Sequence, residues 1–321
     1  MTKETLCYVK KPGMLTTIQD MGRFGYQSQG IPPAGVMDYY AYTIANMLTG
    51  NHLREAVLEI TMTGPVLTFA SKAVLAITGG DLQPELNGEK APMWKTFTVE
   101  DGDKLSFKGP KQGARAYLAV SGGINGEETL NSKSTYVKAK LGGMEGRALQ
   151  KGDALTYTVP SEILPTGKGV HSDLIPSYPS TQELRVIEGP ESNTFTNEAI
   201  QSFYKLAYTV TNESDRMGLR LNGPDVSHVE KADILSDAVS FGTIQVASDG
   251  QPMILMADRQ TTGGYTRIAT VITVDLPKAA QLLPGQKITF KKVSIEQAHE
   301  LILKERKQFA SLAFALDHMQ S

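Results

Sequence analysis

The chain has 321 residues, 40% hydrophobic and 21% charged, and its 32 Lys and Arg against 34 Asp and Glu leave a net charge of −2. That balance suits a soluble globular protein long enough for two domains and gives no general electrostatic pull toward nucleic acid or membrane. Cys7, the single cysteine, excludes an intrachain disulfide and a multi-cysteine metal site, and no apolar run approaches the ~18 residues of a membrane span.

The N-terminal residues contain no apolar core of signal-peptide length, so the cytoplasm is the expected location. No two of the histidines at 52, 171, 228, 299 and 318 stand four apart, and no metal site is expected. Thr17-Ile-Gln-Asp-Met-Gly-Arg-Phe-Gly25 sets an amide (Gln19), a carboxylate (Asp20) and a guanidinium (Arg23) on a glycine turn, just before Pro32-Pro33-Ala-Gly35. Asp38 can cap a helix to about Leu48, with Ala41, Ile44, Ala45 and Leu48 on one apolar face and Gly50-Asn51 ending it. Short strands follow, among them Val66–Phe69, Ala73–Thr78, Lys104–Phe107 and Ala116–Val120. Glu59 and Asp81 each come after an apolar strand; carboxylates so placed can serve as general bases, although most are solvated.

Ser132-Lys-Ser-Thr-Tyr136 is a hydroxyl-rich loop before Gly142-Gly-Met-Glu-Gly-Arg147, and serine hydroxyls with glycine-loop amides suit an anion such as a phosphoryl group. The Pro, Ser and Gly-rich stretch from Pro160 to Ser180 reads as a linker. It divides an N-terminal β domain (1–165) from a C-terminal one (182–321), with the linker at 166–181. Beyond it come strands at Leu184–Ile187, Thr243–Val246 and Lys287–Phe290, and a helix after Thr196 with Ile200, Phe203 and Leu206 inward. Ser294-Ile-Glu-Gln297 has the form of a capping box, and Ile295, Ile302, Phe309 and Leu316 recur every seven residues along a C-terminal helix. The fold class expected is mainly β (α+β), with a few short helices.

Asp258-Arg-Gln-Thr-Thr-Gly-Gly-Tyr265 follows the apolar run Met253–Ala257 and packs an acid, a base, an amide and two hydroxyls against what reads as a paired-glycine bend. Arg259 offers a planar fork for a carboxylate or phosphate, and Gly263-Gly264 lets backbone N–H groups approach. The alternative is a strand end with an Asp-Arg ion pair. The two halves are weakly alike: Thr17–Gly25 has a counterpart in Thr211–Gly218, which makes Asp215-Arg216 the equivalent of the first Asp/Arg loop, and Asp101–Phe107 resembles Pro284–Phe290. A duplicated β domain follows, whose Asp/Arg loops would line a shared cleft. No Walker-type loop or G-x-S-x-G elbow occurs.

Thr17–Gly25, Gly35-Val-Met-Asp38, Ser132–Tyr136, Gly146-Arg147, Ser214-Asp-Arg-Met-Gly218, Gly242-Thr-Ile-Gln245 and Asp258–Tyr265 together resemble the KipA family in order, over about residues 8 to 292. That family includes the C subunit of bacterial ATP-dependent 5-oxoprolinase (PxpC) and is related to the carboxyltransferase region of urea carboxylases, the allophanate hydrolase subunit 2-like group. The resemblance implies two tandem cyclophilin-like β-barrel domains. It also implies a KipI-like B subunit and an A-type subunit as partners, with 5-oxo-L-proline opened to L-glutamate at the expense of ATP with Mg. The lactam would be activated by phosphorylation and then hydrolysed, in a heteromeric hydrolase with no bound prosthetic group. Two other roles are implied: a regulator that binds KipI and antagonises a histidine kinase inhibitor, and a component of biotin-dependent carboxyl transfer.

The resemblance assigns no catalytic residue. Asp20, Arg23, Asp215, Arg216, Asp258 and Arg259 are the catalytic candidates; Gln19, Ser132, Ser134, Thr135, Arg147, Gln245, Gln260, Thr261, Gly263, Gly264 and Tyr265 are the candidates for substrate or phosphoryl binding. Where the family usually has Gly-Ser-Arg-Ser-Thr, this chain has Asn131-Ser-Lys-Ser-Thr135, so a planar arginine fork becomes the point charge of Lys133.

Overall fold

Short runs of β-branched and aromatic residues punctuated by Gly, Pro, Asn and Asp dominate the chain. In the computed structural model, which describes residues 2–161 and 166–318, they form a mainly β fold with four α-helices among the described residues. Two units are distinguished: Met1–Arg23, Ala34–Ser177 and Phe309–Ser321 make the first, Phe24–Pro33 and Tyr178–Gln308 the second.

The first unit contains β1 (Lys3–Lys11), β2 (Leu15–Gln19), α1 (Tyr39–Leu48), β3 (Val57–Thr61), β4 (Val66–Phe69), β5 (Ala73–Asp81), β6 (Pro84–Leu86), β7 (Glu89–Lys90), β8 (Thr96–Val99), β9 (Lys104–Phe107), β10 (Gln112–Val120) and β11 (Ala154–Thr158). One sheet runs β11-β1-β4-β9-β6-β7 and the other β2-β3-β10-β5-β8, with every pairing antiparallel. Leu6, Ile18, Leu58, Leu75, Leu118 and Leu155 belong to one buried cluster, where each large aliphatic side chain contributes about 1.5–3 kcal/mol. On its other face the second sheet offers Val57, Ala76, Tyr117 and Ala119 to α1, whose Ala41, Ile44, Ala45 and Leu48 are buried against it. Asp38 caps α1, its Oδ1 accepting from the Ala41 amide at 2.9 Å. From the stretch read as a linker, Lys168 is hydrogen-bonded to Thr96 of β8 and Val170 to Trp94; residues 162–165 lie outside the described residues.

The second unit contains β12 (Thr181–Glu188), α2 (Asn197–Lys205), β13 (Tyr208–Val210), β14 (Gly218–Asn222), β15 (Asp233–Ala238), β16 (Thr243–Val246), β17 (Pro252–Leu255), β18 (Thr262–Val271), α3 (Leu276–Ala280), β19 (Lys287–Lys292) and the part of α4 (Ile295–His318) up to Gln308, the rest of that helix belonging to the first unit. The sheet order β12-β19-β13-β14-β17-β16-β18 returns to β12, so seven strands close into a barrel and β15 lies outside it, on β18. Closure removes the free edges from the ring. Phe203 of α2 stacks on Phe290 of β19, with centroids 4.4 Å apart, and both are buried.

The capping box expected from the sequence forms, Ser294 and Gln297 exchanging bonds of 3.0 and 3.2 Å, and the Thr196 hydroxyl caps α2 by accepting from the Ala199 amide at 3.2 Å. Two side chains differ from expectation. Leu206 lies beyond the end of α2 in extended backbone and is exposed, because the helix stops at Lys205. Ile295 is exposed as well; a 3.6-residue turn drifts from a seven-residue repeat, and the inward stripe includes Phe309, Leu312 and Leu316.

Asp275 is fully buried beneath the Arg185 fork, with contacts of 2.7 and 2.8 Å, and Lys278 at 2.9 Å. Burial pushes its pKa up, but the bonds to Arg185 and Lys278 outweigh it, and the net shift is downward. A carboxylate depressed on folding contributes stability that is complete above its unfolded value of about 4 and is lost as the pH falls through the folded value. Asp275→Asn should cost about 3–5 kcal/mol in urea unfolding at neutral pH, since it leaves Arg185 without its counter-charge. That deficit should shrink below pH ~4, where the wild-type carboxyl is itself protonated.

Candidate functional site

β2 is an edge strand, and the hydroxyl-rich loop runs along its free side. The Thr135 amide and hydroxyl both donate to the Ile18 carbonyl at 2.9 Å, and the Gln19 Nε2 donates to the Thr135 carbonyl at 3.0 Å. Just beyond the strand, the buried Asp20 carboxylate is held by four donors. Oδ1 accepts from the Gly22 amide (2.8 Å), the Ser132 hydroxyl (2.7 Å) and the Ser134 hydroxyl (2.5 Å), and Oδ2 from the Lys133 amide (2.6 Å). Arg23 is buried and donates through Nη2 to the Ser134 carbonyl, a close approach for which Gly142 makes room: a Cβ there would lie 2.8 Å from that nitrogen. Gln19, Asp20, Arg23, Ser132, Ser134 and Thr135 are thus brought together.

Three of the four donors crowd Oδ1 of Asp20 and one meets Oδ2, and Ser132 and Ser134 are buried with their hydroxyls donated to it, so neither hydroxyl is presented as a nucleophile. The buried Gln19 Oε1 has no hydrogen-bond partner among the described residues, and it could accept an N–H from a bound molecule.

The neighbouring sheet face holds a second buried polar group. Opposite one another across β2, β3, β10 and β5 stand Thr17, Glu59, Tyr117 and Thr78. The Tyr117 hydroxyl donates to the Glu59 Oε2 (2.9 Å) and accepts from the Asp38 amide (2.8 Å), while the Met37 amide also donates to Glu59 (2.8 Å). The Val36 amide donates to the Asp20 carbonyl (3.0 Å), so three successive amides tie the loop before α1 to these two groups. Burial, with Glu59 and Asp38 beside it, raises the Tyr117 pKa far above the ordinary phenol range. Glu59 is not the solvated strand-end carboxylate that its position suggests; the available sequence signal was the polar row itself, a Thr, Glu and Tyr inside otherwise apolar strands.

Other candidates in this unit are placed elsewhere. Arg147 makes a bidentate pair with Asp153 (2.7 and 3.0 Å), a contact that raises its own pKa and lowers that of Asp153. The amides of Gly143, Gly146 and Arg147 donate to the carbonyls of Glu127, Gly142 and Met144, so the glycine loop is folded on itself and does not hold out an open anion cradle. Lys133 reaches Glu55 at 3.3 Å.

In the second unit Asp215 makes a turn with the Met217 amide (2.7 Å), as Asp20 does with Gly22, but the following arginine behaves differently. Arg216 is buried and makes a bidentate pair with Asp258 (3.0 and 2.9 Å). Asp258 therefore does not pair with its neighbour Arg259, whose Nε and Nη1 reach only the carbonyls of Val239 (3.4 Å) and Met256 (3.3 Å). Its Cζ lies 5.7 Å from the centre of the Phe241 ring, and burial pulls its pKa down to about 10.

Gly263 and Gly264 are not a bend. The turn precedes them, and both lie in β18. A Cβ on Gly263 would meet the Gln245 Nε2 at 2.4 Å, so the bare glycine accommodates that amide, which donates to the Tyr265 carbonyl (3.2 Å) and accepts from Gln260 (3.3 Å). Thr261 accepts from the Val239 amide through its carbonyl, and Tyr265 is exposed. Among the described residues no three His, Cys, Asp or Glu side chains are grouped to hold a metal ion.

Comparison with known proteins bears on what these clusters serve. Residues 29–292 match the family described as carboxyltransferase domain, subdomain A and B. The C subunit of the Escherichia coli 5-oxoprolinase is 35% identical over 306 residues, 95% of this chain and 97% of that protein. The urea amidolyase of Saccharomyces cerevisiae is also 35% identical, over 92% of this chain but only 17% of its own length. The crystal structure of the K. lactis urea amidolyase superposes with a TM-score of 0.90 at 32% identity, covering 97% of this chain and 20% of that one.

Asp20→Asn tests the first cluster. Either orientation of the new amide sets its NH2 against a fixed backbone donor, Gly22 on one side and Lys133 on the other. A loss of about 2–3 kcal/mol in urea unfolding is expected, against about 1 kcal/mol for Ser134→Ala.

Proposed function

The chain belongs to the carboxyltransferase domain family, subdomains A and B, and from that membership we propose that it is the C subunit of an ATP-dependent 5-oxoprolinase. In this reading it works with a KipI-like B subunit and an A-type subunit in the cytoplasm, and the assembly opens 5-oxo-L-proline to L-glutamate with hydrolysis of ATP. The observation that carries it is coextension: the bacterial C subunit is matched over 97% of its length, whereas the equally identical yeast enzyme is matched over 17%. A module shared by several large enzymes would favour none of them; correspondence with a whole subunit favours that subunit.

The side-chain chemistry supports recognition more than covalent catalysis by this chain. Asp20 and Asp258 are enclosed by their own partners, while Gln19 Oε1 and the Arg259 fork, each in its own unit, remain to meet polar groups of a small molecule. ATP with Mg enters as co-substrate of the complex. Because the described residues form no metal-holding group, no step is assigned to a cation on this chain. The closed seven-stranded ring supports a cyclophilin-like second unit, and by the resemblance between the two halves the first unit is proposed to be of the same kind. A role in biotin-dependent carboxyl transfer is a second reading, favoured by the 0.90 superposition on the K. lactis enzyme.

Combining the chain with its KipI-like and A-type partners should give glutamate from 5-oxo-L-proline and ATP, and leaving the chain out should stop it. No glutamate from the full set would overturn the proposal. A stable complex with the KipI-like protein but without turnover would point to the regulatory role, and binding of carboxybiotin in calorimetry to the carboxyl-transfer one.

A further inference from the structure

Four arginines of the second unit, Arg185, Arg216, Arg259 and Arg267, are wholly or partly buried. Three of them make bidentate contacts with carboxylates: Arg185 with Asp275, Arg216 with Asp258, and Arg267 with Glu191 at 2.5 and 2.7 Å. Arg259 has no carboxylate partner among the described residues; its two hydrogen bonds are long ones to carbonyls, and its Cζ lies over the Phe241 ring. The carboxylate beside it in sequence, Asp258, is taken by Arg216 from 42 residues away. A guanidinium carries five N–H donors, so three remain on Arg259, including both on Nη2.

A desolvated cation without a counter-charge is costly, and the depressed pKa of Arg259, caused by burial alone, reflects that cost. We infer that Arg259 is the anchor of an anion-binding site and that its ligand is a carboxylate monoanion. The choice of carboxylate over phosphate follows from charge and geometry. Two coplanar donors match the two oxygens of a carboxylate. The guanidinium of Arg267, which donates to the Ala238 carbonyl next to the one Arg259 uses, is already neutralised by Glu191 and Asp237 and has no charge to spare for a dianion. In the proposed role the carboxylate is that of 5-oxo-L-proline; this identification rests on the 5-oxoprolinase reading, whereas the site itself does not.

The test uses the full chain labelled with 15N-arginine, following the Nε–H resonance that disappears in Arg259→Lys. Sodium acetate, 5-oxo-L-proline and inorganic phosphate are titrated separately at fixed ionic strength. Acetate should shift this resonance saturably while those of Arg185, Arg216 and Arg267 stay in place, with phosphate at least about tenfold weaker. No saturable shift with acetate, or tighter binding of phosphate, overturns the inference. If acetate shifts the resonance and 5-oxo-L-proline does not, the carboxylate site stands and the 5-oxoprolinase reading is the one that fails. In the reconstituted complex, Arg259→Lys should raise KM for 5-oxo-L-proline about tenfold or more with a smaller effect on kcat; an unchanged KM would count against Arg259 as the substrate's anchor.

Discussion

The Asp20 carboxylate, buried at the end of an edge strand, is the contact on which the first unit's polar loops depend. A charge taken out of water is tolerated only if it is met by hydrogen-bond donors, and here two backbone amides and two hydroxyls donate to it. Those donors come from the turn at Gly22 and from the loop at Ser132–Ser134, more than a hundred residues away in sequence. Through the Val36 amide and the Asp20 carbonyl, the arrangement extends to the loop before α1, and from there to Glu59 and Tyr117. The helix, the edge strand and the hydroxyl-rich loop are therefore fixed by one connected set of bonds.

The second unit solves the same problem with guanidinium forks. Asp258, Asp275 and Glu191 each receive an arginine, and every such pair joins segments distant in the chain. Built this way, the carboxylates are spent on the fold, and what is left for a ligand is a cation whose neighbouring acid is already engaged. The polar residues that look most catalytic in sequence are thus mostly scaffold, and recognition falls to the atoms that the scaffold leaves unmatched.

Local signals made much of the fold legible. Val66–Phe69, Lys104–Phe107 and Thr243–Val246 are strands with the bounds that alternation and flanking turn residues suggest, and Asp38 and Ser294 cap the helices expected of them. The reading weakened where long-range pairing decides. Asp258 and Arg259 look like partners because they are adjacent, but consecutive strand-end residues diverge, and Arg216 arrives from β14's approach to β17. Gly263-Gly264 looks like a bend because paired glycines often are; the strand instead uses the bare Cα to seat Gln245, whose position no local pattern encodes. Glu59 was recognisable as a carboxylate in an apolar strand, while its burial depended on Tyr117 and the Met37 amide, both supplied by the tertiary fold.

Amide hydrogen exchange at Gly22 and Lys133 tests the role of the Asp20 carboxylate most directly. Both N–H groups lie in loops, where exchange is ordinarily fast, and both donate to that carboxylate. If it holds the loops together, both amides exchange at least about a thousandfold more slowly than in an unstructured chain, and they lose that protection together in Asp20→Asn. Exchange of either amide in the wild type at the rate of an exposed loop would contradict the carboxylate's organising role.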